Sequence, residues 1–213
     1  MTTERQAGLE VILRRAPVVP VLVIDDVGHA VPLAKALVEG GLNVLEITLR
    51  TEAAPDCIRA VKTEVKDAIV GSGTVLDKAG LQLSMDLGCA FAVSPGATSA
   101  LIDAARKMEI PLLPASRSPS EAMALLEQGY RVQKFFPAEQ SGGAAYLSAI
   151  SSPLPQVKFC PTGGITPEIA PAYLKLANVV TVGGSWMVPK SLVASKDWAA
   201  ITQLAATAAK LKR

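Results

Sequence analysis

Lys134 stands inside an apolar run, among Tyr130, Val132, Phe135 and Phe136, and is the first place to look for chemistry. Burying an amine without a partner is costly, because the ammonium loses its hydration. A buried amine escapes that cost by giving up its proton, and the free amine is a nucleophile near neutral pH. The alternative is a lysine at a strand end whose ammonium reaches water past a buried stem. A second polar group lies in the stretch Val44 to Arg50. Side chains of a strand alternate faces, so Val44, Glu46, Thr48 and Arg50 share one face and Leu45, Ile47 and Leu49 the other. A carboxylate, a hydroxyl and a guanidinium on one inward face suit a general acid/base beside an anion-binding arginine. A Glu46–Arg50 pair that only plugs the core is the competing reading.

Two glycine pairs, Thr162-Gly163-Gly164 and Gly183-Gly184-Ser185, follow apolar runs. Paired glycines let backbone N–H groups approach an anion, and a following helix N-terminus adds favourable partial charge. They also serve as plain tight turns, so both readings stand. Gly71-Ser72-Gly73-Thr74 and Ser94-Pro95-Gly96 are weaker signals of the same positional kind. Trp186, Met187, Trp198, Met85 and Met123 read as packing residues, and His29 as a residue of the helix surface or a cap on local packing, without a catalytic role.

The elements that must position these groups follow a regular rhythm. Leu9, Ile12 and Leu13 at helical spacing predict a short amphipathic helix before Pro17. Strand-like runs are then expected at 18–24, 43–49, 68–71, 90–93, 111–113, 131–136, 156–160 and 178–182. Helix-like stretches follow them near 29–39, 55–65, 78–87, 99–108, 118–128, 143–150, 167–176 and 198–211. Ser118-Pro119-Ser120-Glu121 supplies a cap and an early proline for the fifth of these helices. Eight alternating units imply a parallel sheet with helix crossovers, expected to close as a (β/α)8 TIM barrel with a short N-terminal helix. An open doubly wound sheet is the competitor, but no GxGxxG follows the first run. No linker interrupts residues 1–213, which read as one domain. In such a barrel catalytic groups gather on the loops after the strands, and phosphate binds after the seventh and eighth.

Composition narrows the function classes. Half of the 213 residues are hydrophobic, and the net charge of +2 arises from acids and bases spread along the chain, without a basic block. Nucleic acid is therefore not expected as a partner. No apolar stretch is long enough to cross a bilayer, and residues 1–15 lack the apolar run of a signal peptide. Cys57, Cys89 and Cys160 are far apart, with one histidine in the chain, so neither a zinc site nor a disulfide framework is expected. A cytoplasmic protein with reduced thiols is the expectation.

Leu45–Thr51 (LEITLRT), Gly71–Leu76 (GSGTVL), Ser94–Gly96 (SPG), Lys134–Glu139 (KFFPAE), Phe159–Ile165 (FCPTGGI) and Val182–Trp186 (VGGSW) together resemble a known family. It is that of the 2-keto-3-deoxy-6-phosphogluconate and 4-hydroxy-2-oxoglutarate aldolases. The likeness runs from about Pro17 to Pro189. It implies a class I aldolase that works through a covalent lysine imine, without a metal or other cofactor, as a homotrimer. Carried over by motif, Lys134 resembles the imine-forming lysine and Glu46 the general acid/base. Arg50 and Thr74 resemble the groups around the pyruvate carboxylate, and Pro95 and Phe136 the pocket lining. Thr162 resembles the residue near the substrate hydroxyl; Gly163, Gly164, Gly183, Gly184 and Ser185 resemble the phosphate cradle. After the fifth strand the family usually carries Pro-Gly, where this chain has Pro114-Ala115-Ser116-Arg117-Ser118; Arg117 adds a cation near the mouth. The implied reaction is reversible cleavage of 2-dehydro-3-deoxy-6-phosphogluconate to pyruvate and D-glyceraldehyde 3-phosphate. The alternatives are the same chemistry on 4-hydroxy-2-oxoglutarate or an epimeric sugar acid, a phosphosugar isomerase or epimerase, and a non-catalytic barrel.

Overall fold

A computed structural model describes residues 3–212. It alternates short parallel strands with helices, as the periodicity predicts. The strands are β1 (Val18–Leu22), β2 (Val44–Thr48), β3 (Ile69–Gly73), β4 (Ala92–Val93), β5 (Leu112–Leu113), β6 (Ala115–Ser116), β7 (Val132–Phe135), β8 (Lys158–Pro161) and β9 (Val182–Gly184). They form a six-stranded sheet ordered β5-β4-β3-β2-β1-β9 and a three-stranded sheet ordered β6-β7-β8. Every ladder is parallel. Parallel strands carry helices on their outer face and are buried on both sides, which is why Val, Ile and Leu fill them.

The helices are α1 (Thr3–Leu13), α2 (Val27–Glu39), α3 (Ala54–Glu64), α4 (Lys78–Asp86), α5 (Ser99–Lys107), α6 (Pro119–Glu127), α7 (Gly143–Ile150), α8 (Ala170–Leu174), α9 (Lys190–Ala194) and α10 (Trp198–Ala209). A short polar side chain caps several starts by accepting a hydrogen bond from an otherwise unpaired N–H. Asp26 serves Gly28, Asp77 serves Gly80, Thr98 serves Leu101 and Asp197 serves Ala200. The predicted start at Ser118 is a full capping box, with Glu121 reaching back to the Ser118 N–H.

Two faces of β2 go to two cores, as its alternation requires. Leu45 and Ile47 pack outward against Leu33, Leu37, Ile58 and Val61 of the covering helices. Val44 packs inward with Val19, Val93, Leu113, Val132, Cys160 and Val180. Leu9 and Leu13 of α1 join this inner cluster, so the N-terminal helix seals the N-terminal ends of the strands. Gln6 fastens the seal, because its side chain accepts the Val132 N–H at 2.8 Å.

Several expectations need correction. The run expected over 111–113 is followed, past Pro114, by a further short strand, β6. Proline lacks a donor but its carbonyl still accepts, here from the Lys134 N–H at 2.8 Å. The eighth strand is β9 rather than residues 178–182. Residues 178–180 bond to Phe159 of β8, and only at Val182, whose N–H reaches Pro17, does the chain pair with β1. Gly183 and Gly184 are thus strand residues, not a turn. The helix expected over 167–176 is confined to α8, since Pro171 has no N–H and fits only at a first turn. Met123, expected to pack, is 50% exposed. His29 lies early in α2, with its ring edge-on to Trp198 at 5.8 Å.

Candidate active site

The third residues of β2 and β7 meet inside the curl. Glu46 and Lys134, 88 positions apart in sequence, are 3% and 4% exposed, and the Lys134 Nζ stands 3.3 Å from Glu46 Oε1. The lysine does not reach water, so the strand-end reading fails. Glu46 pairs with Lys134 and not with Arg50, so the Glu46–Arg50 plug fails too. A buried pair of this kind offsets little of its own desolvation, and chemistry is the better reason for keeping it. The Phe136 ring centroid lies 5.3 Å from Nζ and walls one side of the amine.

Gly73 and Cys160 belong to this centre, although the motifs that contain them assigned neither a role. A Cβ on Gly73 would come within 2.8 Å of Glu46 Cγ, so only glycine lets the carboxylate lie flat against β3. Cys160 pairs in register with Lys134 on the adjacent strand β8 and is buried. Burial, with the Glu46 charge added, raises its thiol to about 12 against the lowering effect of Lys134. That thiol is neutral and inert at ordinary pH.

Arg50 and Thr74 stand together at the ends of β2 and β3, where Arg50 Nε donates to Thr74 Oγ1 at 2.8 Å. Thr74 has φ of 58°, in the left-handed region that a β-branched residue rarely enters. Such strain costs of order 1–3 kcal/mol and collects at functional sites. The Thr48 hydroxyl is engaged elsewhere, donating to Leu22 O at 2.8 Å.

Pro95 and Phe136 line one cavity of about 400 Å³ between α5 and α6, together with Ala115, Ser116 and Arg117. Arg117 is exposed at this cavity. Its loop is steadied by Glu121, which accepts both the Arg117 and Ser118 N–H groups. Ser116 is buried and donates to Gln133 Oε1 at 2.7 Å, linking β6 to β7 beside Lys134.

Across the curl, Thr162 is buried and bridges to Gly183. A Cβ on Gly183 would strike the Thr162 side chain, and one on Gly184 would strike the Trp186 ring. These glycines answer close packing. Gly163 and Gly164 do form a turn, with φ of 103° and 76°. Ser185 is exposed and opens on a cavity of about 390 Å³ bordered by Asp25, Asp26, His29 and Lys190. Among the described residues no group of three or more His, Cys, Asp or Glu side chains gathers in a metal-binding arrangement, and no helix is long and apolar enough to cross a membrane.

Residues 9–204 match the family model of the KDPG and KHG aldolases. A 2-dehydro-3-deoxy-phosphogluconate aldolase of Pseudoalteromonas atlantica is 52% identical over 205 residues, which are 96% of this chain and 95% of that one. A KDPG aldolase structure from Legionella pneumophila, with pyruvate captured as a covalent carbinolamine, superposes with a TM-score of 0.92 at 43% identity, covering 94% of this chain and 98% of the other. The Zymomonas mobilis 2-keto-3-deoxy-6-phosphogluconate aldolase with 3-phosphoglycerate superposes with a TM-score of 0.91 at 48% identity, covering 96% of each chain.

Proposed function

The chain belongs to the family of the KDPG and KHG aldolases, and on that premise we propose the reaction and the residues that carry it. It is a class I aldolase that reversibly cleaves 2-dehydro-3-deoxy-6-phosphogluconate to pyruvate and D-glyceraldehyde 3-phosphate. The observation that carries this reading is the buried Lys134–Glu46 pair at 3.3 Å in a chain similar to one in which pyruvate was captured as a carbinolamine.

Lys134 passes a proton to the neighbouring Glu46, 3.3 Å away, and its amine attacks the C2 carbonyl to form a carbinolamine. Glu46 returns that proton to the carbinolamine hydroxyl, which leaves as water, and a cationic imine remains. Glu46, the neighbouring base, takes the proton from the C4 hydroxyl, directly or through a water. The C3–C4 electrons then move into the imine, leaving an enamine on Lys134 and releasing the aldehyde phosphate. Returning a proton to C3 gives the pyruvate imine, and water frees the lysine. The imine itself is the electron sink, so the cycle has no need of a metal ion or other cofactor.

Arg50 and Thr74 are proposed to hold the pyruvate carboxylate, with Pro95 and Phe136 walling that end. Thr162 is proposed to meet the substrate hydroxyl. Gly163, Gly164, Gly183, Gly184 and Ser185 are proposed as the phosphate end, supported by the Thr162–Gly183 bridge that brings the two glycine pairs side by side. No lysine or arginine stands in either motif, so a dianion there would rely on backbone N–H groups and the Ser185 hydroxyl.

The two sheets are proposed to be parts of one closed (β/α)8 barrel comprising the whole chain as one domain. In support, Lys134 N–H bonds Pro114 O at the β5–β6 break, and Thr162 bridges to Gly183. A homotrimer and a cytoplasmic location are proposed with it. The first rests on the resemblance and is read by sedimentation equilibrium. The second is supported by three unpaired thiols. Neither the isomerase or epimerase nor the non-catalytic barrel is favoured by the relatives found.

Borohydride added with pyruvate tests the mechanism. A three-carbon adduct should be fixed on Lys134, in the presence of a chelator as in its absence. A label on another lysine, or none, defeats the reading.

A further inference from the structure

We propose that Glu139 and Tyr173 are positioning residues for the turn at Gly163–Gly164, an inference that rests on the phosphate reading above. Glu139 closes the run that begins at Lys134, yet it takes no part in the chemistry there. Its N–H donates to Gly163 O at 3.1 Å, and the Ala138 N–H to Thr162 O at 2.8 Å, so the loop after β7 is bonded along the turn after β8. The side-chain stem continues the contact. A Cβ on Gly164 would lie 2.8 Å from Glu139 Cβ and 2.9 Å from Cγ, so the turn rests directly on that stem and must follow it.

The carboxylate is drawn the other way. Glu139 Oε1 accepts the hydroxyl proton of Tyr173 on α8, and it lies 3.2 Å from where a Gly143 Cβ would stand. Tyr173 is 1% exposed and sits in the outer core, so the anchor point is fixed. Burial, and after it the glutamate, raise the phenol above its ordinary range, which keeps the proton on the tyrosine. The strut does two things. It sets the height of a turn whose N–H groups are to meet a dianion. It also keeps a carboxylate behind that turn, where it does not oppose the incoming charge.

Two variants separate positioning from simple stability. Tyr173→Phe keeps the ring and deletes the donor, while Glu139→Gln keeps the stem and an acceptor oxygen. The readout is kcat/KM for the phosphorylated six-carbon acid against its unphosphorylated counterpart, with borohydride trapping of pyruvate as the control at the far end of the site. Tyr173→Phe should lower the ratio by roughly 10–100-fold, the scale of a small misplacement of binding groups. Turnover of the unphosphorylated acid and trapping on Lys134 should be unchanged, and Glu139→Gln should retain the wild-type ratio. An unchanged ratio in Tyr173→Phe, or an equal loss on both substrates, overturns the strut alone. A wild-type protein indifferent to phosphate overturns the phosphate reading and the strut with it.

Discussion

At their N-terminal ends the strands enclose Val19, Val44, Val132 and Val180, sealed by Leu9 and Leu13 of α1. Further along β2 and β7 the enclosed groups are Glu46 and Lys134, with Thr162 just past the end of β8. The lower region is apolar and bought by packing alone; the upper holds a carboxylate and an amine that hydrophobic residues would replace with little loss of stability. Stability and chemistry are therefore separated along the strand direction, as this class of fold permits. Substitutions at the two ends should have different consequences.

The largest expected effect is at the upper end. Glu46→Gln keeps the shape and removes proton transfer, so turnover should fall by roughly 10²–10⁴-fold. Trapping of pyruvate on Lys134 should be slowed but should survive. Near-normal turnover would return Glu46 to a structural role and erase the contrast between the two ends.

Next comes the phosphate. The unmodified protein should discriminate against the unphosphorylated acid by about 2–4 kcal/mol in kcat/KM, because remote binding energy also holds the reacting carbon. Gly163→Ala should remove most of that preference, since its φ of 103° and a Cβ 3.2 Å from Pro137 Cα force the turn to shift. Gly184 is the poorer test, because a side chain there strikes Trp186 first. Equal kcat/KM for both acids in the unmodified protein would favour 4-hydroxy-2-oxoglutarate as the working substrate.

At the lower end stability should change and the chemistry should not. Leu13→Ala should cost about 2–5 kcal/mol in urea unfolding while leaving KM and the trapping reaction of the folded protein as they were. A change in KM would mean that the seal and the site are coupled.

The last effect, confined to alkaline pH, is expected between the two regions. Cys160 holds its proton to about 12 in the folded chain against an ordinary 9.0. Between these values the unfolded chain releases a proton that the folded chain retains, so stability should fall as pH rises from 9.0 toward about 12. Cys160→Ala should flatten that decline in unfolding midpoints measured across the range. An identical slope in the variant would mean that other groups govern it.

The alternation in β2 was legible because a period of two is a local property: Leu45 and Ile47 pack outward and Val44 and Glu46 inward, as the spacing implies. The cap at Ser118 was legible for the same reason, since donor and acceptor lie within one turn of helix. Strand ends were less so. The strand-like run reads as ending at Leu113, yet the Pro114 carbonyl continues the ladder, and Gly183-Gly184 reads as a turn, yet the pair lies in β9 against Val19 and Pro20. Both misreadings arise because a ladder belongs to two chains segments at once, and only one of them is visible at a time.

By itself the sequence determined the order of strands and helices, the inward face of β2 and, through its motifs, the family of the enzyme. These depend on neighbours a few residues apart or on residue identities. Tertiary structure alone decided that Glu46 pairs with Lys134 rather than Arg50, that Gly73 must be glycine to admit that carboxylate, and that Glu139 reaches past the Gly164 turn to Tyr173. Each of these brings together residues from separate strands or loops. Their distances are set by how the sheet curls and the helices pack, and no local pattern encodes that geometry.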